Sequence, residues 1–151
     1  MLLKDICTPE AVYCTRATTV LEAARLMRSK HVGDLVVVDD PQDECVPVGM
    51  VTDRDLVVKV LGNELDAAAT TVGEIMRVPL VTARDTEYAA HAMQRMHAHG
   101  VRRVPVVGAD GRLVGMVALD DLLKVVAAEA TTLAEIVIKE HDHERRTVRG
   151  S

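Results

Sequence analysis

The chain has 151 residues, 48% of them apolar, and a formal net charge of −5. That length suits one domain or two small units sharing a core, and the absence of any long polar tract confines expected disorder to the ends. The acidic balance supplies no basic stripe for nucleic acid, although a single small anion needs only a few local positive groups.

No apolar run approaches the roughly 18 residues of a membrane span, and the opening "MLLKDICTPE" cannot form the apolar core of a signal peptide. A soluble, cytoplasmic protein with no membrane partner is expected. Cys7, Cys14 and Cys45 are odd in number and match no zinc or redox spacing, which fits reduced thiols without a role. With two tyrosines and neither Phe nor Trp, aliphatic side chains and backbone groups must hold any ring-bearing ligand.

In chain order, "AVYCT" (residues 11–15) is a candidate strand, and residues 19–29 carry Ala, Leu and Met at helical spacing. The β-branched run 35–38 reads as a short buried strand, followed by the loop "DDPQDECVPV". A return strand then leads through "GMVTDRD" into a helix beginning near Asp53. Thr71 and Glu74 have the spacing of a capping box opening a short helix between the halves. "VPLVTA" (78–83) is a further candidate strand, 87–98 a second helix and 104–107 a second buried strand. "GADG" marks a turn to an antiparallel strand over 113–117, and a helix starts near Leu119. That helix continues through "DDLLKVVAAEATTLAEIVIKE", with apolar residues at 122, 126, 133 and 137. After Glu140 the charged "HDHERRTVRGS" is expected to fray.

The elements repeat. Residues 22–39 overlie 91–108 with a shift of 69, matching Ala23 to Ala92, Met27 to Met96 and Val32 to Val101. "GMVTDRD" (49–55) recurs as "GMVALDD" (115–121) with a shift of 66, the loop absorbing the difference. Neither unit alone buries much core, so the two are expected to pack into a pseudosymmetric α/β domain with equivalent clefts between them.

The aspartate at the end of each copy admits two readings. Thr52 and Asp55 fit a capping box, which is purely mechanical. In the second copy Ala118 replaces the threonine while Asp121 remains, which suggests an external group: two carboxylate oxygens can each accept a hydrogen bond from vicinal ribose hydroxyls. The glycine six residues earlier would admit another backbone or a ligand.

With "HVGDLVVVD" and "GMVTDRD" in one unit and "HGVRRVPVV" and "GMVALDD" in the other, the chain resembles a tandem pair of CBS (cystathionine-β-synthase-type) domains, a Bateman module, over about residues 5 to 128. The resemblance implies an α/β fold of the α+β type: two pseudosymmetric β-α-β-β-α units packed sheet to sheet, over 1–70 and 71–130, with 131–151 a helical extension and charged tail. It implies a non-catalytic regulatory module, requiring no cofactor, that binds AMP, ADP, ATP or NAD in its clefts, forms a homodimer through its helices and controls an unidentified protein. Asp55 and Asp121 would hold ribose hydroxyls, with Thr52 adding a hydroxyl contact. Met50, Val51, Met116 and Val117 would line the adenine slot, with Val12 in one site and Leu80 in the other.

Arg102 and Arg103 match family positions that reach phosphates, although adjacent strand residues face opposite ways and either can be a solvated strand edge. The Asp121 cleft has this arginine pair and Ala118. The Asp55 cleft has Thr52 but shows Gly33 and Asp34 at the arginine positions, so it is expected to be weaker or to take a less anionic group. His91, His97 and His99 lack the i, i+4 spacing of a metal site and read as solvated, as do His141 and His143. Met27, Met93 and Met96 read as core. A protein-interaction module with vestigial clefts is the alternative, and a small hydrolase ranks last because no nucleophile pairs with a base.

Overall fold

The computed structural model describes residues 1–39, 42 and 44–150. The first unit runs α1 (Leu3–Ile6), β1 (Tyr13–Cys14), α2 (Val20–Lys30), β2 (Asp34–Val38), β3 (Pro47–Thr52) and α3 (Asp53–Asp55), which a π-helical stretch continues over Leu56–Leu61. The second runs α4 (Val72–Ile75), β4 (Ala83–Arg84), α5 (Ala89–His99), β5 (Arg103–Val107), β6 (Leu113–Ala118) and α6 (Leu119–Arg149). The expected mixed α/β architecture is present as two three-stranded sheets, β1-β2-β3 and β4-β5-β6. Each unit opens with a short helix, whereas only the second opener was visible in the sequence. Of the connection expected over 39–48, residues 40, 41 and 43 lie outside the described residues.

Local chemistry sets the helix ends. Thr19 caps α2 by accepting from the Glu22 N–H at 3.1 Å, while Glu22 accepts from the Thr19 N–H at 2.8 Å. The helix stops at His31, whose φ of 55° is left-handed, and α5 stops at the equivalent Gly100 with φ 62°. Only glycine adopts that conformation without a steric penalty.

The sheets share one register. Val36 lies opposite Met50 in the first and Pro105 opposite Met116 in the second, and each middle strand bulges before its last residue. β-Branched residues fill both middle strands, and Leu35, Val36, Val37, Val104 and Val106 are fully buried. One difference follows from composition. The Val36 N–H bonds the Val12 carbonyl at 3.0 Å, whereas the equivalent Pro105 has no N–H to give Val81.

The two cores do not follow the sequence boundary at residue 70. Val72, Ile75 and Met76 from the opening of the second unit pack in the first core, with Val20, Leu35 and Val51. Leu3, with Ile6 and Cys7 against it, packs in the second core with Ala92, Val104 and Val117. The units therefore exchange their opening segments. Backbone pairing fixes the exchange: the Thr8 N–H bonds the Met116 carbonyl at 2.8 Å, the Met116 N–H returns to Thr8 at 2.9 Å, and the Arg77 N–H bonds the Met50 carbonyl at 2.8 Å.

This exchange explains the repeated strand glycine, which admits another backbone. A Cβ at Gly115 would sit 2.5 Å from the Thr8 carbonyl oxygen, and one at Gly49 would meet the Met76 sulfur at 2.7 Å and the Arg77 carbonyl oxygen at 3.3 Å.

The C-terminal helix departs from expectation. α6 continues to Arg149 instead of fraying after Glu140, and from Val126 to Val148 every residue is exposed. Alanine, glutamate and lysine favour helix without tertiary support, and Glu135 with Lys139 and Asp142 with Arg146 stand at i, i+4. Ser151 lies outside the described residues.

Gly115→Ala should lower the unfolding free energy by about 1–3 kcal/mol, because rigid backbone opposes the new methyl group. Gly49→Ala should cost less, since the nearest atom belongs to a flexible methionine. Urea titration of both variants checks the order.

Candidate functional site

Where the two units meet, a cleft of about 760 Å³ opens, a size that accommodates a small organic ligand. The first unit contributes Gly33 and Asp34 at the start of β2, Met50 and Thr52 from β3, and Asp53 and Arg54 from α3. The exchanged opening segment adds Arg77 and residues 79–81. The second unit contributes residues 99–103 and 118–120. Paired turns place the helix starts here: the Asp53 N–H bonds the Gly33 carbonyl at 2.9 Å, and the Leu119 N–H bonds the Arg102 carbonyl at 2.8 Å.

Of the residues singled out in the sequence, the cleft brings together Gly33, Met50, Thr52, Leu80, Arg102, Arg103 and Ala118. Val51 and Val117 are fully buried in the two cores. Met116 pairs with Thr8, and Val12 packs against the first core. Asp55 and Asp121 do not line it.

The arginine allocation changes. Arg102 and Arg103 were expected in a different cleft from Thr52, Gly33 and Asp34; all five share this one. The equivalent strand starts face each other across the junction, so Arg103 forms an ion pair with Asp34. Both arginines reach the cleft because Arg102 precedes β5 and escapes the alternation of strand faces. Arg54, Arg77, Asp53, Asp120 and His99 also line it, and the sequence reading missed all five as site residues. A repeat comparison gave no signal for Arg77, whose position depends on the exchanged segment. His99 is exposed, as read, and stands on the cleft wall.

Asp55 is 3% exposed and heavily engaged. One oxygen accepts from the Thr52 N–H at 2.9 Å, both lie 3.2 Å from the Arg77 Nε, and Lys59 Nζ approaches to 3.6 Å. The Thr52 hydroxyl accepts from the Asp55 N–H at 3.2 Å, completing the capping box. Burial by itself would raise the Asp55 pKa. The hydrogen bonds with Thr52 and the charges of Arg77 and Lys59 outweigh it and hold the carboxyl below its ordinary value.

Asp121 is less enclosed, with its side chain 23% exposed and 3.8 Å from Lys124. It accepts from the Ala118 N–H at 3.0 Å. This bond accounts locally for the aspartate that outlives its threonine: the carboxylate caps a backbone N–H, which alanine also possesses. Persistence of the acid therefore requires no external partner.

Since the folded Asp55 carboxyl is held below its ordinary value, its stabilising effect is fully present above the unfolded pKa and is lost as pH falls through the lower folded one. Urea unfolding at a series of pH values should show Asp55→Asn less stable at neutral pH by about 1–3 kcal/mol, with a shallower acid decline. The remaining slope should include Glu87, whose burial is outweighed by hydrogen bonds from Arg84 and Arg95, holding it low as well.

Comparison with known proteins agrees with this architecture. The CBS domain family model matches residues 3–62 and 72–128. The chain is 36% identical over 120 residues to the CBS domain-containing protein YhcV of Bacillus subtilis, covering 80% of this chain and 81% of that one. It is 33% identical over 117 residues to an uncharacterized protein of Methanopyrus kandleri, covering 78% of this chain but spanning only 58% of that relative's length. The solved structure of Hypoxic Response Protein I, with two coordinated zinc ions, aligns at a TM-score of 0.73 and 31% identity, covering 82% and 98% of the two chains. The CBS domain pair of protein MJ0100, in complex with 5′-methylthioadenosine and S-adenosyl-L-methionine, aligns at 0.74 and 26%, covering 85% and 98%. Among the described residues no group of three or more His, Cys, Asp or Glu is placed to hold a metal, and no helix is long and apolar enough to cross a membrane. Two matched repeats, each with its own sheet and each closed by the other's opening segment, make this chain a member of the CBS domain family, whose paired units generally act as regulatory modules.

Proposed function

We propose that the chain is a non-catalytic cytoplasmic sensor that binds an adenosine-containing molecule in the cleft between its units and regulates another protein in response. The observation that carries this reading is the convergence of Met50, Thr52 and Leu80 with Arg102, Arg103 and Ala118 on one cleft. Met50 and Leu80 supply an aliphatic slot for adenine in a chain with two tyrosines and neither Phe nor Trp. Thr52 offers a hydroxyl, and the start of α6 with Arg102 offers positive potential to an anionic group. Support also comes from the MJ0100 pair, which was solved with adenosyl compounds. No cofactor is needed for such a role. AMP, ADP, ATP, NAD and S-adenosylmethionine are the candidate ligands.

For Asp55 to grip a ribose, Arg77 must first release it. The guanidinium would then be free to meet an anionic group of the same ligand. Asp121, with one oxygen on the Ala118 N–H, keeps the other within reach of Lys124 and solvent.

The complete engagement of Asp55 favours one second reading, an interaction module whose clefts stay empty. Isothermal titration separates the two. The sensor reading expects micromolar to millimolar binding of at least one adenosyl ligand, weakened about tenfold by Arg102→Ala through loss of a charge-assisted contact. Absence of heat with all five compounds, together with an ultraviolet spectrum of the purified protein free of adenine, sinks it.

A homodimer belongs to the same proposal. Val57, Val58 and Leu61 on the π-helical stretch are 56%, 52% and 72% exposed, and Leu123 and Val126 on α6 are 57% and 46% exposed. Apolar strips on exposed helices suit burial against a second copy. Sedimentation should give a dimer for the native chain and a monomer for Leu61→Glu with Leu123→Glu.

A further inference from the structure

On the reading that an adenosine-containing ligand occupies the cleft, we infer that Asp34 sets the charge of the ligand accepted, making the site prefer adenosyl compounds with at most one phosphate over nucleoside polyphosphates. Asp34 and Arg103 are the first residues of β2 and β5, equivalent under the repeat, and they meet as an ion pair. The Asp34 side chain is 14% exposed and the Arg103 side chain 44%, so the carboxylate is the more enclosed partner. A phosphate reaching for Arg103 must break that pair and leave a shielded carboxylate facing its own charge.

The same balance extends over the cleft. Among the described residues its four arginines, at 54, 77, 102 and 103, face carboxylates at 34, 53 and 120 on the walls and Asp55, bound to Arg77. A nearly neutral cleft gains little from each added phosphate, and the gain would fall on Arg54 and Arg102, since Arg77 and Arg103 are held by carboxylates. The effect centres on Asp34, because a charge shielded from water is screened less than one at an open surface. The repeat itself produces this arrangement, since one unit carries an acid where the other carries a base.

The test is titration of the full chain with 5′-methylthioadenosine, AMP and ATP, which present roughly zero, two and four negative charges, against the native protein, Asp34→Asn, Asp34→Ser and Asp34→Glu. Asp110→Asn, an exposed carboxylate outside the cleft, controls for net charge. The native chain should bind AMP more tightly than ATP. Asp34→Asn should raise ATP affinity by about tenfold and change 5′-methylthioadenosine affinity by less than about twofold. Asp34→Ser should repeat that shift, Asp34→Glu should keep the native order, and Asp110→Asn should change neither. Circular dichroism melts confirm that each variant is folded, and the serine variant substitutes for the asparagine variant if the latter is not. If the ligands bind but the AMP-to-ATP ratio ignores Asp34, the inference is overturned and the sensor reading survives. If none of the three binds the native chain, the inference is overturned, and the sensor reading falls with it when ADP, NAD and S-adenosylmethionine also fail to bind.

Discussion

Two isolated backbone bridges between the units hold the rest of this molecule in place. Thr8 against Met116 and Arg77 against Met50 carry each unit's opening segment onto the other unit's last strand. The pairing requires a strand with no side chain one residue earlier, which Gly115 and Gly49 provide. Once the segments are exchanged, Leu3 completes one core and Val72, Ile75 and Met76 complete the other. Neither unit retains a whole core by itself, and burial of apolar surface thereby becomes cooperative across the repeat.

The cleft follows from that exchange. Bringing Arg77 to Met50 also brings Arg77 to Asp55, and brings Leu80 to the cleft that Thr52 lines. Meeting of the strand starts places Arg103 on Asp34. These are charge pairs with unequal exposure, so they do more than decorate a surface: the enclosed carboxylates fix the guanidinium groups in orientation and reduce the positive field available to an anion. A ligand entering such a site competes with contacts the protein already makes to itself. On the proposed sensor reading, occupancy would couple to conformation wherever the ligand displaces Asp34 from Arg103 or Asp55 from Arg77.

The pseudosymmetry is broken in chemically meaningful ways. Pro105 withdraws a strand hydrogen bond that Val36 makes, Ala118 removes one half of a capping box, and α6 is a helix of 31 residues where the first unit has three helical residues and a π-helical stretch. Only the first seven residues of α6 include buried ones, Leu122 and Val125. The remainder stands away from the body with alanine and paired charges along it.

Sequence patterning located the middle and last strand of each sheet, the main helices, the glycine-to-aspartate hinges and the repeat that relates them, because these show in local periodicity, turn residues and composition; the first strands, which pair 23 positions away, proved shorter than expected, with only Ala83 of 78–83 in β4. The capping geometry of Asp55 was legible for the same reason. The exchange of opening segments was not, since a strand glycine says that something comes close without saying what. Persistence of Asp121 was read as a sign of an external partner, yet a backbone N–H, identical for threonine and alanine, supplies the bond. Tertiary structure alone decided that Arg102, Arg103, Gly33 and Asp34 share one cleft, that Arg77 engages Asp55, and that α6 persists as helix to Arg149. Each of the first two depends on residues dozens of positions apart meeting across a junction, and linear spacing carries no information about which faces of two equivalent units turn toward each other.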